Sequence, residues 1–347
     1  MADQIQLRGG TTAEHSTFTG AAREVTVDTD KDTLVVHDGA TAGGKPLLNE
    51  ADLKGKNLLI NGDFQVWQRG DSHTPTVSSE YYADRWRNAT ASSGETRQIR
   101  DAGLGYGYRI VGSSTTAFYQ LSQRVELNYA LREELSNNTY TCSFVGDLPD
   151  VTDSYRVYVS IEHTGGTEVV GYVPIVQVGN KYTATIDFPD LGSLILDDTS
   201  YLNLAINNNI SPAPDGNYDI YQVKLEKGEV ATPFEYESYG DVLAKCQRYY
   251  YSNDLYNFPV SRVTTGATLF GGTVEFPVTM RANPTVTYGA YDPGALSGSP
   301  ALGNIAGSWS TFSARKNWVQ PSLVLVSNSS AVTGMVQLED FTADAEL

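Results

Sequence analysis

Cysteine is almost missing from this 347-residue chain: Cys142 and Cys246 are its two. They sit far apart, with neither the close spacing of a metal site nor the density of a disulfide framework. Positive charge is also short. Lys and Arg number 24 against 41 Asp and Glu, a formal net charge of −17. Such a surface repels phosphate backbones and disfavours nucleic-acid binding. Histidine is rare; His15, His37, His73 and His163 lie in polar stretches and are expected at the surface. No apolar run approaches the ~20 residues of a membrane helix. The opening "MADQIQ" has no basic or apolar leader pattern, so the expectation is a soluble product of a host cytoplasm. Catalytic signatures fail as well. There is no G-x-S-x-G elbow, no H-E-x-x-H and no P-loop. "GLGYG" (Gly103 to Gly107) lacks the third glycine of a dinucleotide site. Asp28, Asp30 and Asp32 begin like a calcium loop, but Thr33 and Gly39 stand where Gly and Glu are needed. That stretch reads as a solvated turn. The chain is expected not to be an enzyme.

What is present is the vocabulary of strands and tight turns: 32 Gly, 22 Tyr and many Thr, Ser and Asn. The expected class is all-β. In "VTVDTDKDTLVVHDG", Val25 and Val27 alternate with polar residues before a polar turn, and Leu34 to Val36 follow. This spells a β-hairpin. A lone hairpin is marginal in water, and residues 1–54 hold too few apolar side chains for a core, so the segment calls for a partner. "NEADLKGKN" (Asn49 to Asn57) is read as one helical turn before the next module.

From residue 55 to 237, period-two patterns recur. Tyr155, Val157, Val159 and Ile161 share a face. So do Tyr182, Ala184, Ile186 and Phe188, then Leu202, Leu204 and Ile206, then Tyr221, Val223 and Leu225. One dry and one wet face per strand implies an antiparallel sandwich of eight to ten strands, a jelly roll. "LNYALREELSNN" is the one short helix expected inside it. Residues 238–252 carry the best helix: Val242, Leu243, Cys246, Tyr249 and Tyr250 at helical spacing, Ser238 as cap and Asp241 three residues on. It reads as a linking helix. Residues 253–347 read as a C-terminal β-sandwich and are expected to be the receptor-binding domain, with Val274, Phe276, Val278 and Met280 alternating and a long loop, "YDPGALSGSPALGNIAGSWS".

Two aromatic clusters offer flat faces to sugar rings. Tyr81, Tyr82 and Trp86, with Trp67, Tyr106 and Tyr108 near them in sequence, belong to the first sandwich. Tyr288, Tyr291, Trp309, Phe312 and Trp318 flank the long loop of the last segment. These eight, Tyr81, Tyr82, Trp86, Tyr288, Tyr291, Trp309, Phe312 and Trp318, are the candidate carbohydrate-binding residues. Their alternative is core packing, where aromatics contribute most.

The stretch from Ile5 to Gly39 resembles the N-terminal repeat of bacteriophage tail fibre proteins. "NLLINGDFQVWQRG", "YYADRW", "YDIYQVKLEKGEVATPFEYESYGDVLAKCQRYY" and the closing "FTADAEL" are similar to phage and prophage tail fibres too. Asn57 to Glu237 further resembles carbohydrate-binding jelly rolls. The likeness is weak between about residues 255 and 335. It implies a homotrimeric fibre, a virion component fixed to the phage tail or baseplate through residues 1–54 and binding host cell-surface polysaccharide. It also implies a structural calcium near the first and last strands of the jelly roll, with Asp63 and Asp219 as ligands by position. The competing readings are a fibre-borne polysaccharide depolymerase and a baseplate spacer whose jelly roll binds no sugar. No carboxylate spacing singles out a glycosidase pair, and the chain lacks the repeat of a long β-helix.

Overall fold

A computed structural model describes residues 6–47, 57–75, 79–88, 95–112, 119–149, 155–208, 214–253, 256–263, 268–270, 273–288, 291–292, 307–325, 332–338 and 341–347. The chain divides into two compact units, Met1–Lys56 and Asn57–Leu347. The helical turn expected at residues 49–57 falls almost wholly outside the described residues, as does most of the long loop at 291–310.

The first unit contains the hairpin. Val25–Asp28 pairs antiparallel with Thr33–Val36, and Asp32 takes a left-handed φ of 49° in the turn. Gly9–Gly10 adds in parallel beside Val25–Asp28, and Lys45–Pro46 flanks the other side. A helix, α1 (Thr12–Thr17), was not expected. Its signal is in the sequence as a capping box, Thr11-x-x-Glu14: the Glu14 amide donates to Thr11 Oγ1 at 3.2 Å, and the Thr11 amide donates to Glu14 Oε2 at 2.8 Å.

The second unit is built on a two-sheet antiparallel sandwich. One sheet orders its strands Gly166–Pro174, Arg156–His163, Tyr201–Asn207, Gln120–Glu126, Trp86–Asn88 and Glu80–Tyr81. The other orders Val176–Val178, Lys181–Asp187, Thr139–Asp147, Gly216–Lys227, Gly105–Gly112, Thr96–Asp101 and Ser72–His73. The alternating sets supply one shared core, in which Val159, Ile161, Ile186, Leu204, Val223 and Leu225 are fully buried. The last set breaks at Gln222, whose φ of 53° shifts the register so that Tyr218 and Ile220 join that core in place of Tyr221. The strand count exceeds the expected eight to ten because short edge strands of two or three residues carry no legible alternation. The helix expected in "LNYALREELSNN" is α2 (Tyr129–Leu135), capped by Asn128, whose Oδ1 accepts from the Leu131 amide at 2.9 Å.

The linking helix is α3 (Tyr239–Gln247). Ser238 caps it and Asp241 stands in its first turn, as the sequence implied. The buried stripe differs slightly from the expected one. Val242 and Cys246 are the buried positions, packed on Val66, while Leu243 is half-buried. The helix stops before Tyr249, and Tyr250–Asn253 continues as a strand between α3 and the C-terminal segment. That strand pairs with Phe341–Asp344, which also pairs with Thr285–Tyr288. Val274, Phe276, Met280, Val319, Phe341 and Ala343 close a smaller core beside it.

Candidate functional site

In the first unit a helix, a hairpin and a polar interior hold one another. Asp30 Oδ2 accepts from the Thr12 amide at 2.9 Å, so the hairpin turn caps α1. Asp28, expected in a solvated turn, is instead buried. Its Oδ2 accepts from Thr12 Oγ1 at 2.8 Å, and its Oδ1 accepts from the amides of Asp30 and Lys31. His15 and His37 are likewise buried, at 6% and 1% exposure, against the expectation of surface histidines. Thr26 joins them. The Gly20 amide donates to His37 Nδ1 at 3.3 Å, so His37 carries its proton on Nε2 and donates to Thr26 Oγ1 at 2.9 Å. The Thr26 hydroxyl then donates to His15 Nε2 at 2.8 Å, and His15 Nδ1 donates to the Thr11 carbonyl at 2.9 Å. One proton arrangement satisfies every member of this chain. Gly20 must be glycine, because a Cβ there would lie 2.4 Å from the His37 ring.

In the second unit, three sequence fragments that carried the fibre resemblance meet. "NGDF" makes a turn with Asn61 and Phe64 at positive φ, 57° and 54°. The Gly62 carbonyl in that turn accepts from the Val223 amide at 2.8 Å, and a Cβ on Gly62 would fall 2.2 Å from the Val223 oxygen. The Asn61 side-chain amide donates to the carbonyls of Val66 and Asp84, and the Asn61 backbone carbonyl accepts from Trp86 Nε1 at 2.8 Å. "YYADRW" then contributes a buried ionic cluster. Asp84 accepts from Arg69 at 3.0 Å and from the Gln68 amide at 2.8 Å. Arg85, 1% exposed, pairs with Glu346 and donates to the Arg124 carbonyl, with its guanidinium 3.4 Å from the centre of the Tyr249 ring. Arg69 lies 3.5 Å over Tyr250 and 3.4 Å from Glu346. The segment closing the described chain is thereby fastened to the sandwich through Glu346. Burial pushes the Asp84 carboxyl up to about 7, although Arg69 pulls it down. It also raises the thiol of Cys142 to about 12 and that of Cys246 well above the ordinary range, so both are inert free thiols.

This arrangement corrects part of the sugar-binding expectation. Trp86 and Tyr82 are core residues at 0% and 4% exposure, Trp86 tilted on Phe64 and Tyr82 stacked on His73. Their faces are already used. Tyr81 is half-buried beside Arg69 and Arg87. In the C-terminal segment Tyr288 is half-buried on Phe341, and Trp318 is half-buried at the start of the strand Trp318–Leu325. Tyr291, Trp309 and Phe312 lie on strands, and their side chains fall outside the described residues.

The calcium pair does not fit a metal. Asp219 gives both oxygens to Arg109, at 2.6 and 2.5 Å. Asp63 is buried with its carboxyl shifted upward by desolvation, and the amides of Asp63 and Gln65 oppose that shift. Among the described residues, no group of three or more His, Cys, Asp or Glu side chains is placed to hold a metal ion.

The comparisons agree with the class that the N-terminal hairpin suggested. Residues 5–41 match the model of the major tropism determinant N-terminal domain. Over 118 residues the chain is 77% identical to the tail fiber receptor-binding protein of Bordetella phage BPP-1, a stretch of 33% of this chain and 31% of that one. The chain thus matches under a third of that relative's length. Among solved structures, the major tropism determinant P3c variant is 27% identical, with 48% of this chain and 31% of that chain covered and a TM-score of 0.15. The carbohydrate-binding module TmCBM27, whose title concerns mannan recognition, is 12% identical over 42% of this chain and 90% of its own, at a TM-score of 0.24. At such scores the sandwich assignment rests on the strand order given above. Among the described residues, no helix is long and apolar enough to cross a membrane.

Proposed function

We propose that this chain is a structural and adhesive component of a phage tail, fixed to the particle by residues 1–54 and binding a host-surface glycan through the unit from Asn57 onward. The observation that carries the reading is the N-terminal match at residues 5–41, joined to 77% identity with a named receptor-binding fibre over 118 residues. The physical support is the poverty of the first unit's core, which favours a segment completed by a partner. The chain acts as an adhesin without a catalytic step, and as a homotrimer whose three copies add avidity to weak single contacts. The purified chain should block adsorption of the phage to its host without releasing reducing ends from the host polysaccharide. Sugar release would make it a depolymerase, and unimpeded adsorption would remove the adhesin reading. Light scattering should give about three times the 37.7 kDa chain mass. Deleting residues 1–54 should leave a folded remainder that no longer joins the tail.

A further inference from the structure

A cleft of about 440 Å³ opens where the sandwich, the end of α3 and the C-terminal segment meet. That is within the ~300–1,000 Å³ of small-ligand sites. One wall is Tyr129, which is 54% exposed yet held in place. Arg132 lies 4.9 Å from its ring centre, its hydroxyl reaches the Leu196 carbonyl at 3.5 Å, and Arg132 is itself tied to the Leu194 carbonyl at 2.8 Å. The ring is thus fixed, with Arg132 over it and its hydroxyl tied to Leu196, while it lines the cleft more than half exposed.

The charges of the cleft cancel. Glu126, Asp197 and Asp198 face Arg248, Arg281 and Lys316. Most are committed to structure. Arg248 grips Glu126 at 2.8 and 3.0 Å. Arg281 donates to the carbonyls of Asp198, Ala345 and Glu346. Asp197 accepts from Thr199, Ser200 and Thr164 hydroxyls. What remains exposed at the rim is a carboxylate on Asp198, an ammonium on Lys316 and an amide on Asn283. That set donates and accepts hydrogen bonds without selecting a charge. The chain as a whole carries −17, which repels a polyanion.

From this geometry we infer that the cleft binds a neutral, hydroxyl-rich oligosaccharide, stacked on Tyr129 and hydrogen-bonded by Asp198, Lys316 and Asn283. The ligand class rests on the adhesin reading; the site is a separate claim. To test it, the full chain is titrated calorimetrically with maltotriose, cellotriose and mannotriose, and with trigalacturonate as the charged control. At least one neutral trisaccharide should bind in the millimolar range, and Tyr129→Ala should weaken it about tenfold or more at unchanged melting temperature. Asp198→Asn, which keeps the backbone carbonyl used by Arg281, should weaken it as well, and it serves as the second arm should Tyr129→Ala unfold. The inference is overturned by no neutral binding up to ~10 mM, by tighter binding of trigalacturonate, or by full binding in both variants. Adsorption separates the two claims. If wild type and Tyr129→Ala block the phage equally and bind the trisaccharide equally, the cleft is wrong and the fibre stands. If Tyr129→Ala abolishes sugar binding but wild type does not block adsorption, the cleft stands and the fibre falls.

Discussion

The two units bury opposite kinds of matter. In residues 6–47 the fully buried apolar side chain is Val35, while His15, Thr26, Asp28, Thr33 and His37 are buried polar groups. The sandwich buries a contiguous core that includes Trp86, Phe64, Tyr108, Phe144, Ile161 and Leu204. Hydrophobic burial contributes on the order of 1.5–3 kcal/mol per large side chain, so the sandwich has a stability reserve that the first unit does not. The first unit is specified by hydrogen bonds whose net worth is only about 0.5–1.5 kcal/mol each. Its interior therefore fixes a shape more than it supplies a driving force. The large core, by contrast, can tolerate expensive guests: a buried Lys224–Glu226 pair at 3.0 Å and the Arg85–Glu346 pair.

That difference is tested most severely at Arg85. Arg85→Ala leaves Glu346 buried without its main partner, and should cost about 3–5 kcal/mol in urea unfolding of the full chain. The companion Glu346→Ala should cost a similar amount, and the double variant less than the sum. Strict additivity would mean that the two charges do not act as a pair. The first unit should be indifferent to all three.

The next effect is smaller and lies in the other unit. Thr26→Val removes the hydroxyl that joins His15 to His37 and leaves two buried ring nitrogens unsatisfied. A loss of about 1–3 kcal/mol is expected there. Amide exchange across Val25–Asp28 should accelerate about tenfold or more, while exchange in Arg156–His163 stays unchanged. Acceleration in both places would show that the units unfold together. No acceleration in either would show that the first unit is held by something other than this polar chain.

The contrast also explains which parts of the structure were legible in the sequence. Period-two alternation reports a strand with one dry face, and it located the core strands around Val159, Ile186, Leu204 and Val223, while the bulge at Gln222 that turns Tyr221 away from the core leaves no such mark. Helix α3 was found because its cap and its apolar spacing agree. The first unit hides its interior, because Thr, His and Asp at buried positions look like surface residues. The same blindness applies to Arg85 and Glu346, which lie 261 residues apart and become partners only through the fold. Trp86 and Tyr82 illustrate the converse: an aromatic beside polar residues can serve a surface or a core, and the core reading for Trp86 depends on the Asn61 to Phe64 turn against which it packs, a contact formed only in the fold. Tyr129 carries no such signal, because it sits in a short helix and exposure is not written in a single residue type.

The last effect concerns how much ionic strain the large core absorbs, and it is read in pH. Asp84 is buried and its carboxyl titrates at about 7 in the folded chain, against an ordinary value of 3.8. Between those limits the folded state holds a proton that the unfolded chain has released. Raising the pH through that window therefore favours unfolding, and the contribution of Asp84 to stability is present at the acid end and lost by about pH 7. Asp197, whose hydroxyl and amide partners hold it at about 2, releases its proton below the window in both states, so it does not mask the slope. Asp84→Asn keeps the shape and cannot ionise. The difference in unfolding free energy between wild type and Asp84→Asn should thus shift against the wild type from about pH 5 to about pH 8, because contributions shared by the two proteins cancel in that difference. A flat difference would mean that Arg69 keeps Asp84 ionised throughout, and the cluster would then be a fully charged network with no proton stored in it.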